Sequence, residues 1–381
     1  AQAQVDLGQL DQGAQTLEQL RAALQQLPAS PERDAQHALL LTELAMVREQ
    51  QARWDEAETL MREGMALSAA LPNDPQRGVD QVNLARILGS LGRYEESELA
   101  LKQAIAQHTR ILGPTHPLTL RARSERAGIL QKLRRYDEAN QEYRAAIAGL
   151  SQSLGAEHPT TALAQHNFAV AQYAQGNFSE AKVLASNALA VAERDFPAGH
   201  ERITAARLVI AACMLELGEA STAVPILEAV LQEVRARAVP SDLPSILNTL
   251  ALAYIAFGRT DEALALSEET LRVESSLPGF APKNSYWTRA IAARARFAAH
   301  QYEPALLAQQ SILAGYRQDY GDDLGPRSAS VMIDLAATLN ALRRDSQQAR
   351  ALLEEAIAIR SKKLGTDHPL TRAARAMRDA E

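Results

Sequence analysis

The sequence predicts an all-α tandem-repeat solenoid, and three observations carry that expectation. The first is a turn motif: Gly92-Arg93-Tyr94-Glu95-Glu96-Ser97 recurs as Arg134-Arg135-Tyr136-Asp137-Glu138-Ala139, as Gly176-Asn177-Phe178-Ser179-Glu180-Ala181 and as Gly258-Arg259-Thr260-Asp261-Glu262-Ala263. With weaker copies included, its third position falls at 54, 94, 136, 178, 220, 260 and 302, at intervals of 40 or 42 residues. The second is a loop motif on the same beat: Leu112-Gly113-Pro114-Thr115-His116-Pro117 recurs as Leu154-Gly155-Ala156-Glu157-His158-Pro159 and Leu364-Gly365-Thr366-Asp367-His368-Pro369, with a partial copy ending at His200. The third is composition. Aromatics are only 4% of a chain that is 46% apolar, which suits packed Ala- and Leu-rich helices rather than strands. A fixed period of this length is the signature of a repeat array, so 381 residues need not mean several globular domains.

Each unit reads as two helices. A Gly after the first helix (Gly92, Gly176, Gly218, Gly258) supplies a left-handed residue at its C-terminus. An aromatic residue then restarts the apolar pattern, and Asp or Glu in the first turn complements the helix dipole. The second helix carries apolar residues at helical spacing, as in Ala139, Tyr143, Ala146, Ile147 and Leu150. It ends at Leu-Gly, and Pro opens the next helix where a missing N–H costs nothing. Ala85, Ala127, Ala169, Ala211, Ala251, Ala293 and Ala336 occupy equivalent positions in the first helices, where a methyl lets the partner helix approach. The array is expected to hold about eight to nine units: a partial repeat over residues 1–30, tandem units over 31–369, and a C-terminal capping helix over 370–381. A looser turn motif at residues 8–13 and a slipped one at 343–349 extend it both ways.

Charge and cysteine usage narrow the function. A net charge of −6 lacks the basic footprint of a nucleic-acid binder. Cys213, the single cysteine, sits in an apolar run and reads as a small buried hydrophobe. The longest uncharged run, residues 243–258, is too short to span a bilayer. The chain begins at Ala1, partway through a repeat, and is expected to be part of a longer protein.

These residues resemble a known family. The two-helix unit is similar to the tetratricopeptide repeat, in the 42-residue form of kinesin light chain. The resemblance rests on the triplets Asn83-Leu84-Ala85 and Asn167-Phe168-Ala169, the Gly-x-Tyr-x-Glu-Ala turns and the Leu-Gly-x-x-His-Pro loops, and it covers nearly the whole chain. It implies a right-handed superhelix whose first helices line a concave face, and a role in holding other proteins or peptides. Asn83 and Asn167 match the family position that clamps a peptide backbone. Thr249 stands there in another unit with Asn248 beside it, and Glu43, Glu125, Val209, Ile291 and Asp334 stand there elsewhere. Similar arrays occur in bacterial regulators, including sensor portions of Ser/Thr protein kinases, and 34 Arg against 6 Lys fits a high-GC bacterial source. On that analogy the chain is expected to be an extracytoplasmic sensor region of a transmembrane kinase, the cytoplasm being the alternative.

No catalytic constellation emerges. The His-Pro histidines recur once per repeat, roughly 10 Å apart at helix-packing distance, too far to share a metal. The paired carboxylates recur at one repeat position and read as helix N-terminal charges. Phosphate-loop, dinucleotide and nucleophile-elbow motifs are absent from the sequence. No enzyme activity, cofactor or metal is therefore expected. The candidate site is the groove, onto which the first helices project Asn83, Arg86, Arg121, His166, Asn167, Tyr173, Asn248, Trp287 and Arg294, with Lys132 close by. Arg and aromatic residues dominate interface energetics, and the arginines would suit an acidic or phosphorylated peptide. Trp287 follows a loop, residues 276–282, that departs from the Leu-Gly-x-x-His-Pro pattern. Oligomerisation through an edge of the array, or capture of a small molecule, are the competing functions.

Overall fold

The computed structural model describes residues 10–28, 30–68, 76–235, 243–277 and 280–379. The turn-motif copy at 8–13 begins outside them, as do Pro278 and Gly279 of the deviant loop. The described residues form α1 (Leu10–Gln25), α2 (Pro31–Gln50), α3 (Trp54–Leu67), α4 (Gln76–Ser90), α5 (Tyr94–Leu112), α6 (Pro117–Lys132), α7 (Tyr136–Leu154), α8 (Pro159–Ala174) and α9 (Phe178–Asp195). They continue through α10 (Glu201–Glu216), α11 (Ala220–Arg235), α12 (Leu243–Phe257), α13 (Thr260–Ser276), α14 (Tyr286–Ala298), α15 (Tyr302–Tyr320), α16 (Pro326–Ala341), α17 (Ser346–Lys363) and α18 (Pro369–Asp379). No strand occurs among the described residues. The chain divides into two compact units, residues 1–168 and 169–381, with the division inside α8.

The turn motif does what its residues suggest. Trp54, Tyr94, Tyr136, Phe178, Ala220, Thr260 and Tyr302 are each the first residue of a second helix. Two positions upstream the backbone is left-handed every time. Gly92, Gly176, Gly218 and Gly258 have φ between 76° and 85°, and Ala52, Arg134 and His300 adopt 57°, 62° and 60° without glycine's freedom. The repeated alanines of the first helices are buried completely or almost so, Ala85 being the most exposed at 1%. At these points a side chain longer than a methyl would push the paired helices apart.

The first-turn carboxylates do more than complement a dipole. Arg93 donates to Glu96 at 2.6 Å and reaches back to Glu58 at 2.6 Å; Arg135 does the same with Glu138 and, at 2.8 Å, with Glu98. Arg259 joins Glu262 to Glu228 in the same way. Each arginine precedes a second helix and fastens it to the second helix of the preceding repeat. Lys182 and Glu219 repeat the arrangement with the signs exchanged: Lys182 is the fifth residue of α9, as Glu98 is of α5, and Glu219 directly precedes α11, as Arg135 precedes α7.

The His-Pro histidines are caps. Nδ1 of His116, His158, His200 and His368 accepts from the backbone N–H two residues on, at 3.1–3.2 Å. Behind three of them a threonine closes the loop: Thr119, Thr161 and Thr371 donate to the carbonyls of Gly113, Gly155 and Gly365 at 2.8–2.9 Å. The working motif is therefore Leu-Gly-x-x-His-Pro-x-Thr, two residues longer than the recurring sequence first suggests.

The exchanged pair gives a direct test of the inter-repeat fastening. Lys182→Glu places two carboxylates together and is expected to lower stability by about 0.5–1 kcal/mol, which Lys182→Glu/Glu219→Lys restores. Denaturant midpoints of the single and double variants check it.

Candidate ligand-binding site

Five candidate groove residues belong to the first unit and four to the second. In the first unit, Asn83 is buried in α4, and Arg86 of the same helix is taken up by an ion pair. Its Nε and Nη2 donate to the two carboxylate oxygens of Glu49 in α2 at 2.7 and 2.6 Å. Glu125 of α6 follows in this charge row beside Arg86 and Arg121, and burial pushes its carboxyl up against the pull of both guanidiniums. Burial acts on His166 of α8 in the opposite direction, pushing the imidazole down and favouring its neutral form. Asn167 sits beside it on the same helix.

The four residues of the second unit come together. Tyr173 of α8, Asn248 of α12, and Trp287 and Arg294 of α14 all line one cavity of about 580 Å3. Glu216, Glu274 and Arg327 line it too. Arg294 donates from Nε and Nη2 to Oδ2 of Asp334 on α16 at 3.0 and 2.8 Å. The Arg327 guanidinium lies 5.4 Å from the centre of the Trp287 ring, a cation–π distance. Asn248 Nδ2 donates to the Thr288 hydroxyl at 2.9 Å, which donates in turn to Glu274 at 2.7 Å. That chain leaves two buried oxygens without a partner among the described residues, Asn248 Oδ1 and Glu274 Oε2. Burial raises the carboxyls of Glu274 and Glu216, the latter despite Arg294, Arg360 and a hydrogen bond from the Tyr173 hydroxyl.

The second unit also returns on itself. His368, in the loop before α18, hydrogen-bonds the carbonyl of Ala174, next to the cavity residue Tyr173. Gly176 passes so close that a Cβ there would lie 2.5 Å from Cδ of Pro369. Arg360 of α17 is buried just behind, donating to the Leu370 carbonyl at 2.7 Å and the Ser330 hydroxyl at 2.9 Å. Sequence reading missed Glu216, Glu274, Arg327 and Arg360, because none holds a repeated position. Asp334 was visible as a departure from the Asn triplet, but nothing in the sequence pairs it with Arg294.

No group of three or more His, Cys, Asp or Glu residues able to hold a metal occurs among the described residues. Nor is any described helix long and apolar enough to cross a membrane.

Stacked helical hairpins around a lined cavity define a helical-repeat scaffold. The tetratricopeptide repeat pattern matches residues 36–110, 81–148, 118–194, 245–274 and 328–370, and the chain belongs to that family. A Podosopora anserina protein of kinesin-light-chain type, with nearly identical repeats, is similar at 27% identity over 53% of this chain and 97% of its own, with a TM-score of 0.46. The apo quorum sensor NprR of B. thuringiensis shares the fold at 13% identity, covering 94% of this chain and 99% of its own, with a TM-score of 0.63. A Rap protein complexed with Competence and Sporulation Factor does so at 12% identity, over 91% and 97%, with a TM-score of 0.56. No curated protein sequence matches the chain.

The clasp at His368 carries a pH dependence. Burial holds its folded pKa below the unfolded value of about 6.5, so its stability contribution is complete above that pH and is lost as pH falls through the folded value. His368→Asn, which caps without titrating, is expected to flatten the drop in melting temperature between pH 7.5 and 5.

Proposed function

We propose that this chain is a non-catalytic scaffold that binds a peptide segment of a partner protein in the cavity of its second unit, as the sensor or regulatory part of a bacterial signalling protein. The observation that carries this reading is the lining of that cavity. Its volume lies within the roughly 300–1,000 Å3 of ordinary ligand sites. It joins a half-buried Trp287 and the exposed Arg327 beside it to buried amide and carboxyl oxygens that have no partner among the described residues. Such oxygens are costly to leave unmatched and are well suited to a peptide's N–H groups.

The acidic-ligand preference suggested by the arginines receives little support from Arg86 and Arg294, which already face Glu49 and Asp334. The fold likeness to the quorum sensor NprR and to a Rap protein complexed with Competence and Sporulation Factor is in keeping with a ligand-sensing array. A Ser/Thr kinase as the parent protein, with this part outside the cytoplasm, remains the proposal drawn from family resemblance.

The test compares three forms of the protein in affinity capture from cell extract: unaltered, Asn248→Ala/Trp287→Ala, and Asn83→Ala/Asn167→Ala. Segments of any captured protein are then synthesised and their Kd measured. Loss of about tenfold or more in affinity is expected from the cavity pair, and little change from the first-unit pair. The reverse pattern would move the site to the first unit, and concentration-dependent mass without a partner would favour oligomerisation.

A further inference from the structure

The polar groups lining the second-unit cavity are unequally committed. The cationic side chains of the lining are engaged: Arg294 holds Asp334 through two nitrogens and Arg327 lies over Trp287, while Arg360, buried outside the lining, holds the Leu370 carbonyl and the Ser330 hydroxyl. The carboxylates accept hydroxyl hydrogen bonds, Glu216 from Tyr173 and Glu274 from Thr288, but form no ion pair among the described residues. Neither Glu216 nor Glu274 has a cationic nitrogen within ion-pair distance among the described residues. Asn248, only 8% exposed, presents Oδ1 with no donor, and Glu274 Oε2 is in the same state. Thr288 cannot serve either oxygen, since its hydroxyl hydrogen already goes to Glu274 Oε1. Two buried lining oxygens lack an N–H donor, and the two carboxylates lack a direct ion pair among the described residues.

We propose that the cavity recognises a basic side chain of its peptide ligand, a lysine ammonium or an arginine guanidinium, received among Glu216, Glu274 and the Asn248 carbonyl oxygen. This rests on the peptide-binding reading above and adds the ligand's chemistry. Both groups carry several N–H donors and no acceptor, which complements a wall of unmatched acceptors. A carboxylate oxygen buried without a partner is destabilised until it is paired and hydrogen-bonded, so the arriving cation restores what folding removed from Glu274, while the exposed Glu216 adds a second negative charge to the lining. An acidic side chain would add a third carboxyl to a pocket whose own cations are already engaged.

The test is a selection of random hexapeptides displayed on phage against the whole chain, followed by Kd measurement of the enriched peptides. Circular dichroism verifies that each variant remains folded. Enriched peptides are expected to carry Lys or Arg, and to lose at least about tenfold in affinity to Glu216→Gln or Glu274→Gln protein. Replacing the peptide's Lys by norleucine, or its Arg by citrulline, should cause a similar loss and shows which cation is read. Acidic or neutral binders that depend on Trp287 but ignore both glutamine variants would overturn this inference and leave the peptide-binding reading in place. Absence of any binder sensitive to Asn248→Ala/Trp287→Ala would overturn both.

Discussion

Everything in this structure depends on how closely the helices of each hairpin approach, and that distance is set by one alanine per repeat. Ala85, Ala127, Ala169, Ala211, Ala251, Ala293 and Ala336 are essentially free of solvent contact. A methyl at the crossing permits the short interaxial distances of helix pairs, near the lower end of about 8–10 Å. An added side chain in such a place forces backbone shifts worth about 1–3 kcal/mol. In an array where each unit touches mainly its neighbours, such a shift is also passed along as a change in pitch. The spacing of the first helices, and with it the set of side chains that meet in a cavity, follows from these methyls.

Around that packing the repeats carry their own polar fastenings. An arginine ahead of a second helix binds its own first turn and the preceding repeat, as with Arg93, Arg135 and Arg259. A histidine caps the next first helix, and a threonine three residues later closes the loop. The bridging arginines are exposed or half-buried, so each ion pair adds little alone. Their value lies in register: a unit offset by one residue would break the cap and the arginine bridge together. The reversed pair Lys182–Glu219 keeps the geometry while changing both signs, which identifies the position as one that needs complementarity rather than a particular residue.

The fold was legible because its determinants recur. The aromatic position that begins a second helix, the left-handed turn residue before it and the His-Pro cap each appear several times, so a single sequence serves as its own alignment. The site was legible only where it uses repeat positions. Tyr173, Asn248, Trp287 and Arg294 project from first helices and could be collected by register, and they meet in one cavity. Glu216 and Glu274 sit at helix ends, and Arg327 follows a non-repeating loop. Their meeting depends on how far the second unit curls, a property accumulated over five hairpins and written in no single motif. The counter-ions Glu49 and Asp334 were hidden because each pairs with an arginine of a neighbouring repeat that no motif links to it, and the arginines looked more available than they are.

The return of the second unit on itself brings the α18 loop against Ala174 and Gly176, beside the cavity wall, and one comparison of alanine substitutions tests it. Gly176 and Gly218 have nearly the same left-handed backbone, φ 83° and 79°, so Gly→Ala strains both alike, by roughly 1 kcal/mol. At Gly218 nothing lies within 4 Å of the added carbon, whereas at Gly176 it meets Pro369. The measurement is amide hydrogen exchange at Thr371 and Arg372, whose N–H groups bond the His368 carbonyl. Faster exchange there in Gly176→Ala but not in Gly218→Ala is the predicted result. Equal exchange in the two variants would contradict the closure.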